Sequence, residues 1–398
     1  MLRSEMIDYH PFSEAVYDDP YPFYRRLRDE APAFYLEEFD CWFLSRFEDI
    51  WQRLQDQTPL TSRSGTTTTH LLTKQTPTAP NLSSYDGAEH ARIRGFFSPF
   101  FLPGAMRRLE PFVRELARKT VARVAEQGAC DAVADLGGRV SVRVASTILG
   151  LPLEDADQVL DWVNTYFERE PGQRGSTKRG IESSKDFAIY LYGIAKRARE
   201  RGAPPGSVLE KLLATDLEGE RLDDRRIAAH LHMMAIGGTE TFPKVFSALL
   251  YRLWQHPAQR AAVAADPSQA PHAFQEALRY DMPTQMLGRT VAQDFELHGK
   301  RLRAGSGLCF LWASANRDER EFPDPDRFDV ARRAPRILSF GTGAHMCLGA
   351  NAARLEGRVL LEELLARLPE YEVDEVASVR LRSEFFRGFA RLPISWKA

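Results

Sequence analysis

Cysteine is scarce here: the 398 residues contain four, at 41, 130, 309 and 347. No two of them form a CxxC pair or a zinc-like spacing, which excludes a disulfide framework and a structural zinc site and fits a reducing cytosol. Long apolar runs are missing as well. The stretch from Met1 to Tyr35 alternates acids, bases, prolines and aromatics, with neither the apolar core of a signal peptide nor the roughly 20 apolar residues of a membrane span. The expectation is a soluble, cytoplasmic protein with no membrane span. Neither sign of charge is in excess: a formal net charge of −2 argues against nucleic-acid binding and leaves any basic patch local. There is no internal repeat and no linker pooling proline and glycine, so residues 1–398 read as a single domain.

What is present is an ordinary globular balance, 43% hydrophobic and 27% charged, in a chain long enough for a large core or two lobes. Asp19-Pro20-Tyr21-Pro22 followed by Phe23 to Leu27 reads as a capped helix, and 34–36 and 42–44 as short strands. The polar region from Thr61 to Asp86 reads as a long loop, of the kind used for lids and binding segments. Helical patterning runs from His90 to Cys130. Pro171 to Lys185 is a polar break, Gly202 to Gly206 a turn, and Arg225 to His256 the longest helical run, interrupted by Gly237-Gly238. Phe295 to Trp312 reads as a hairpin turning at His298-Gly299-Lys300, and short strands lie around Leu392 to Trp396. The balance is mainly α with minor sheet.

Two segments carry chemistry. In Phe340-Gly341-Thr342-Gly343-Ala344-His345-Met346-Cys347-Leu348-Gly349, glycines at 341, 343 and 349 let the chain turn tightly and pass close to a flat ligand. Leu361, Leu364, Leu365 and Leu368 then recur at helical spacing. A sulfur just before a helix start faces unpaired N–H groups and the positive end of the dipole, which favours thiolate. In Gly237-Gly238-Thr239-Glu240-Thr241, two interior glycines each cost about 1 kcal/mol relative to alanine. That pair calls for a reason such as the close approach of a ligand, and a mid-helix threonine hydroxyl can bond back to a carbonyl one turn earlier.

The Phe340–Gly349 run resembles the heme-ligand loop of the cytochrome P450 family, and Gly237–Thr241 resembles that family's long-helix motif. Glu276-Ala277-Leu278-Arg279 matches its Glu-x-x-Arg signature, and Phe322-Pro323-Asp324-Pro325-Asp326-Arg327-Phe328 resembles the segment whose arginine joins that pair. The resemblance implies a cytochrome P450-like fold, with a large helical lobe and a small β-rich lobe. It implies heme b (iron protoporphyrin IX) held by Cys347 as axial thiolate, an anionic sulfur that favours O–O cleavage. Gly238, Phe340 and Gly349 belong to the cofactor-binding motifs, and His90, Arg94, Arg289 and His345 match positions that bind the propionates. Glu240 and Thr241 are implied to deliver protons to reduced dioxygen. Glu276, Arg279 and Arg327 are implied to form a structural ion network.

The implied activity is a monooxygenase inserting one atom of O2 into a hydrophobic small-molecule substrate, with electrons from NAD(P)H through a reductase and a ferredoxin-type donor. Its pocket would take in Thr61 to Asn81, the break near Pro171, Met233, Met234, Ile236, Met286, Leu287, Phe385 and Phe386. Arg92, Arg107, Arg108, Arg332, Arg333 and Arg336 either form a patch for an acidic donor or are solvated singly. Three positions depart from the family: Gly237 replaces a frequent alanine, Phe242 a second threonine, and Ile337 a histidine found in many relatives. Rival readings are a peroxygenase or oxidative coupling enzyme, and a non-catalytic heme-binding or sensor protein.

Overall fold

The structure, a computed structural model, describes residues 7–56, 58–75, 80–170, 173–214, 216 and 221–397. Helices dominate. A five-stranded sheet takes β1 (Ala33–Leu36), β2 (Cys41–Leu44), β3 (Leu60–Thr61), β4 (Met286–Val291) and β5 (Gly307–Leu311) in the order β1-β2-β5-β4-β3. Only β2 and β5 run parallel. Both are buried along their whole length, which is why they read as unbroken apolar runs rather than alternating ones.

The helices that build the site are α1 (Tyr21–Glu30), α2 (Phe47–Gln55), α3 (Gly87–Phe97), α4 (Pro103–Ala125), α5 (Arg139–Leu149), α6 (Lys178–Arg201), α7 (Asp224–Gln255), α8 (Ala270–Tyr280) and α9 (Ala350–Arg367). The expected leucine stripe of α9 is fully inside at Leu361 and Leu364, and α9 packs along α4 and α8. Truncating such a leucine costs roughly 2–5 kcal/mol. The Asp223 carboxylate caps α7, accepting from the Arg226 amide at 2.8 Å. Among the described residues, no helix is long and apolar enough to cross a membrane.

Several expectations need correction. Gly237-Gly238 does not interrupt α7, which runs unbroken for 32 residues. Pro243, inside the helix, has no N–H to offer the Thr239 carbonyl. Ser141 Oγ donates to that oxygen instead, at 3.2 Å. The Thr61–Asp86 region is more ordered than its polarity suggested: Thr67 caps a short helix, Thr68–Leu72, and a helical turn covers Leu82–Ser84. Leu71, Leu72 and Leu82 anchor it inside, while residues 76–79 lie outside the described residues. The break placed at Pro171 to Lys185 is shorter, because Thr177 caps α6 and helix begins at Lys178; Pro171 itself lies outside the described residues. Helical structure after His90 is divided between α3 and α4, and Cys130 sits in a strand, Ala129–Asp131, paired with Pro393–Ser395. The hairpin comprises only 295–297 and 300–302; Gly307–Leu311 belongs to the five-stranded sheet.

Candidate active site

The cysteine loop is held by its own backbone and by α2. The Cys347 amide donates to the Phe340 carbonyl at 2.7 Å, closing the loop that Gly341 (φ 64°) and Gly343 (φ 69°) open in the left-handed region. A Cβ on Gly343 would fall 2.1 Å from the Leu54 carbonyl oxygen, and the Gln55 side-chain Nε2 donates to Thr342 Oγ1 at 2.9 Å. Gly349, with φ −82°, needs no special backbone freedom; what it supplies is open space.

Cys347 opens into a cavity of about 320 Å³. Val144, Ala145, Ile148 and Leu149 of α5 line one side, Met233, Met234, Gly237, Gly238 and Thr241 of α7 another, and Phe340, Ala352, Ala353 and Glu356 the cysteine side. The two glycines do different work. A Cβ at 237 would meet nothing, so this residue widens the cavity, whereas one at 238 would lie 3.1 Å from the Ala145 Cβ, so Gly238 lets α5 approach.

Burial raises the Cys347 thiol above its ordinary range. The Gly349 amide, Arg94, Arg354 and the Ala350 amide act in the opposite direction without overcoming it. The helix-start amides thus act in the direction expected from sequence, towards thiolate; a coordinated metal deprotonates a thiol outright.

The four residues matched to propionate binding come together from distant parts of the chain. The His90 and His345 rings stack at 3.9 Å. Burial, then Arg289, His90 and Arg94, push His345 down to about 2. Burial likewise pushes Arg289 down to about 10, opposed by Asp86. His90 is lowered by burial and by Arg94. Asp86 Oδ1 stands 3.9 Å from His345 Nε2 and is already engaged by the Ser62 amide and the Thr61 hydroxyl. His90 Nε2 and Arg289 Nε are sealed from solvent with no hydrogen-bond partner. Two orphaned donors and a surplus of positive charge beside an open cavity suit a flat cofactor carrying two carboxylates.

Thr241 lines the cavity and its hydroxyl approaches the Gly237 carbonyl at 3.5 Å. Glu240 does not line it. Its carboxylate is buried in an ion pair with Lys244, whose Nζ also donates to the Glu240 carbonyl at 3.0 Å. Burial raises the Glu240 carboxyl and Lys244 opposes the rise.

The ion network differs from its expected form. Glu276 and Arg279 pair at 2.7 Å, fully inside, but the Arg327 side chain is exposed and only its carbonyl accepts from Arg279. The third partner is Arg332, 3.3 Å from Glu276, reached through Phe328-Asp329-x-x-Arg332. Of the suggested pocket residues, Met233, Met234 and Leu287 line the cavity, while Ile236, Met286, Phe385 and Phe386 do not. Thr69, His70, Gln75 and Asn81 line a separate cleft against α6 and α7. Sequence reasoning missed Glu356, although an acid in the stripe Gly349, Ala352, Ala353, Glu356, Leu360 was a readable signal.

Comparison with known proteins decides the family. A sequence model of the cytochrome P450 family matches residues 185–393, and the putative cytochrome P450 123 of Mycobacterium tuberculosis is 38% identical, covering 98% of this chain and 96% of that one. The chain belongs to the cytochrome P450 family. This P450 is also 32% identical to the vitamin D(3) 25-hydroxylase of Pseudonocardia autotrophica, over 96% of this chain and 95% of the relative. Its fold superposes on the Bacillus megaterium P450 CYP109E1, solved with testosterone, with a TM-score of 0.87 and 27% identity over 97% of this chain and 100% of that one. The expected large helical lobe with a small β-rich lobe is thereby borne out. The protein is a cytochrome P450 monooxygenase, and its cofactor is heme b.

Proposed function

We propose that this P450 hydroxylates an apolar small molecule and that residues 1–398 act as one catalytic domain in the cytoplasm. The observation that carries the substrate class is the cavity lining: Val144, Ile148, Leu149, Met233 and Leu287 surround the space that Cys347 and Thr241 share. Such a lining rewards burial of apolar surface, and flexible methionines adapt to its shape. The relative named a vitamin D(3) 25-hydroxylase and the one solved in complex with testosterone support the same reading.

In this reading Cys347 is the sulfur ligand, and His90, Arg94, Arg289 and His345 hold the cofactor's two carboxylates. Gly238, Phe340 and Gly349 shape the space it fills. Heme b, when bound, supplies dioxygen activation. Thr241 presents a hydroxyl at the cavity wall, and Glu240, once it leaves Lys244 and takes up a proton from solvent, passes that proton to the hydroxyl, so the ion pair sets when the proton is available. Electrons come from NAD(P)H through a ferredoxin-type donor docked on Arg92, Arg107 and Arg108. These three are exposed and have no ion-pair partner among the described residues. Arg332 and Arg336 are instead tied to Glu276, Glu48 and Glu321, and Arg333 to backbone carbonyls.

A panel of steroids, terpenes, fatty acids and polar metabolites, titrated against the ferric enzyme, tests the substrate class. Saturable spin-state shifts with apolar compounds, followed by a hydroxylated product, are expected; shifts confined to the polar compounds sink it. Replacing Cys347 with histidine abolishes the thiolate signature of the reduced, carbon-monoxide-treated spectrum if the ligand assignment is right. The pairing of Glu240 with Lys244 favours one second reading, a peroxide-driven reaction. Turnover with peroxide alone at the ferredoxin-driven rate selects it.

A further inference from the structure

A second concave site lies apart from the catalytic cavity and shares no lining residue with it. This cleft, about 730 Å³, is formed by α1, the ends of α7 and α8, and the C-terminal segment around Arg380 and Arg387. Seven arginines but only three acids line it.

Most of these charges are already spent. Arg252 makes a two-pronged pair with Asp281 at 2.6 and 3.0 Å. Arg317 pairs with Asp326 at 2.8 Å, and its guanidinium lies 3.4 Å from the Tyr280 ring centroid. Arg25 also binds Asp326, and Asp18 is taken by Arg382. Arg380 and Arg387 are the exceptions. Neither side chain has an ion pair or hydrogen bond among the described residues, and Arg387 Nε is sealed from solvent with no partner. Aromatic rings hold both in place, Phe389 under Arg380 at 4.4 Å and Tyr21 under Arg387 at 5.2 Å. Burial and the neighbouring Arg387 lower Arg380 below its ordinary value, as two like charges crowded together should. Arg387 is half-buried and Arg380 reaches the surface, and the carboxylate nearest in effect to both, Asp281, is already held by Arg252. A cleft with that surplus of positive charge calls for an anion, and paired guanidinium forks match phosphate oxygens better than a single carboxylate.

We propose that the Arg380–Arg387 cleft is a binding site for a phosphate-bearing anion, separate from the substrate cavity. The site adjoins the catalytic wall: the Arg387 amide donates to the Pro283 carbonyl at 2.9 Å, and Pro283 lines the cavity.

Calorimetric titration of the heme-loaded enzyme with pyrophosphate tests this, beside sedimentation with vesicles of phosphatidylcholine and phosphatidic acid in equal parts. Saturable binding, weakened about tenfold or more by Arg387→Gln and by Arg380→Ala but not by the exposed control Arg201→Ala, is expected. Heme content and carbon-monoxide spectra of each variant confirm that it has folded. Binding of pyrophosphate assigns a free ligand, and binding of vesicles alone assigns a lipid headgroup. No binding of either, or binding equally strong in all variants, overturns the proposal.

Discussion

Lys244 and Glu240, one turn apart on α7, form an ion pair that is almost wholly inside the protein, and neither side chain lines the catalytic cavity. Breaking it from one side strands the other. Lys244→Met is expected to destabilise the enzyme by roughly 3–5 kcal/mol in urea unfolding, and the double variant with Glu240→Gln to recover most of that loss. Equal stabilities of the single and double variants would contradict the pairing.

Thr241→Ala removes the one hydroxyl that α7 presents to the cavity. Peroxide released per electron consumed should rise while substrate binding changes little. Unchanged coupling would remove Thr241 from proton delivery.

The replacement of Arg327 by Arg332 in the buried network makes a sharp contrast. Arg332→Ala is expected to cost about 3–5 kcal/mol, and Arg327→Ala, on an exposed side chain, no more than about 0.5 kcal/mol. Thermal unfolding of the two variants side by side reads the difference.

Glu356 is buried against the cavity, its carboxyl raised well above the ordinary value by desolvation, with one oxygen unpartnered. A raised carboxyl holds its proton more tightly when folded. Its contribution is fully present below about pH 4.5 and is lost as pH rises through the folded-state value. Glu356→Gln should therefore gain melting temperature over wild type progressively with rising pH. A constant difference between pH 5 and pH 9 would show that this group does not titrate.

Arg289→Ala removes a cation whose Nε has no partner within the protein. Heme transfer to apomyoglobin should accelerate about tenfold or more, the worth of a charge-assisted hydrogen bond. An unchanged rate would place Arg289 away from the cofactor.

Much of the site was legible because its constraints are local. Gly341 and Gly343 announce left-handed turns, Cys347 stands before a helix with a regular leucine stripe, and Gly237 marks open space on a helix. What could not be read depends on partners distant in sequence. Pro243 disturbs the Thr239 carbonyl, yet only the fold shows Ser141 arriving to satisfy it. The polar composition after Thr61 reads as a loop, yet three leucines, Leu71, Leu72 and Leu82, are enough to dock it. Adjacency in sequence suggests that Glu240 and Thr241 act together, but neighbours on a helix point about 100° apart. Arg332 and Arg327 are equally plausible in a string of arginines until the chain reversal brings one guanidinium to Glu276.

The close approach of Gly343 to the Leu54 carbonyl ties the cysteine loop to α2, and not only to α9. Anchorage of the iron therefore depends on two helices from opposite ends of the chain. On slow heating, the Soret absorbance should fade before the far-ultraviolet helical signal does, so that cofactor loss, and not collapse of the helical bundle, sets the working lifetime of the enzyme.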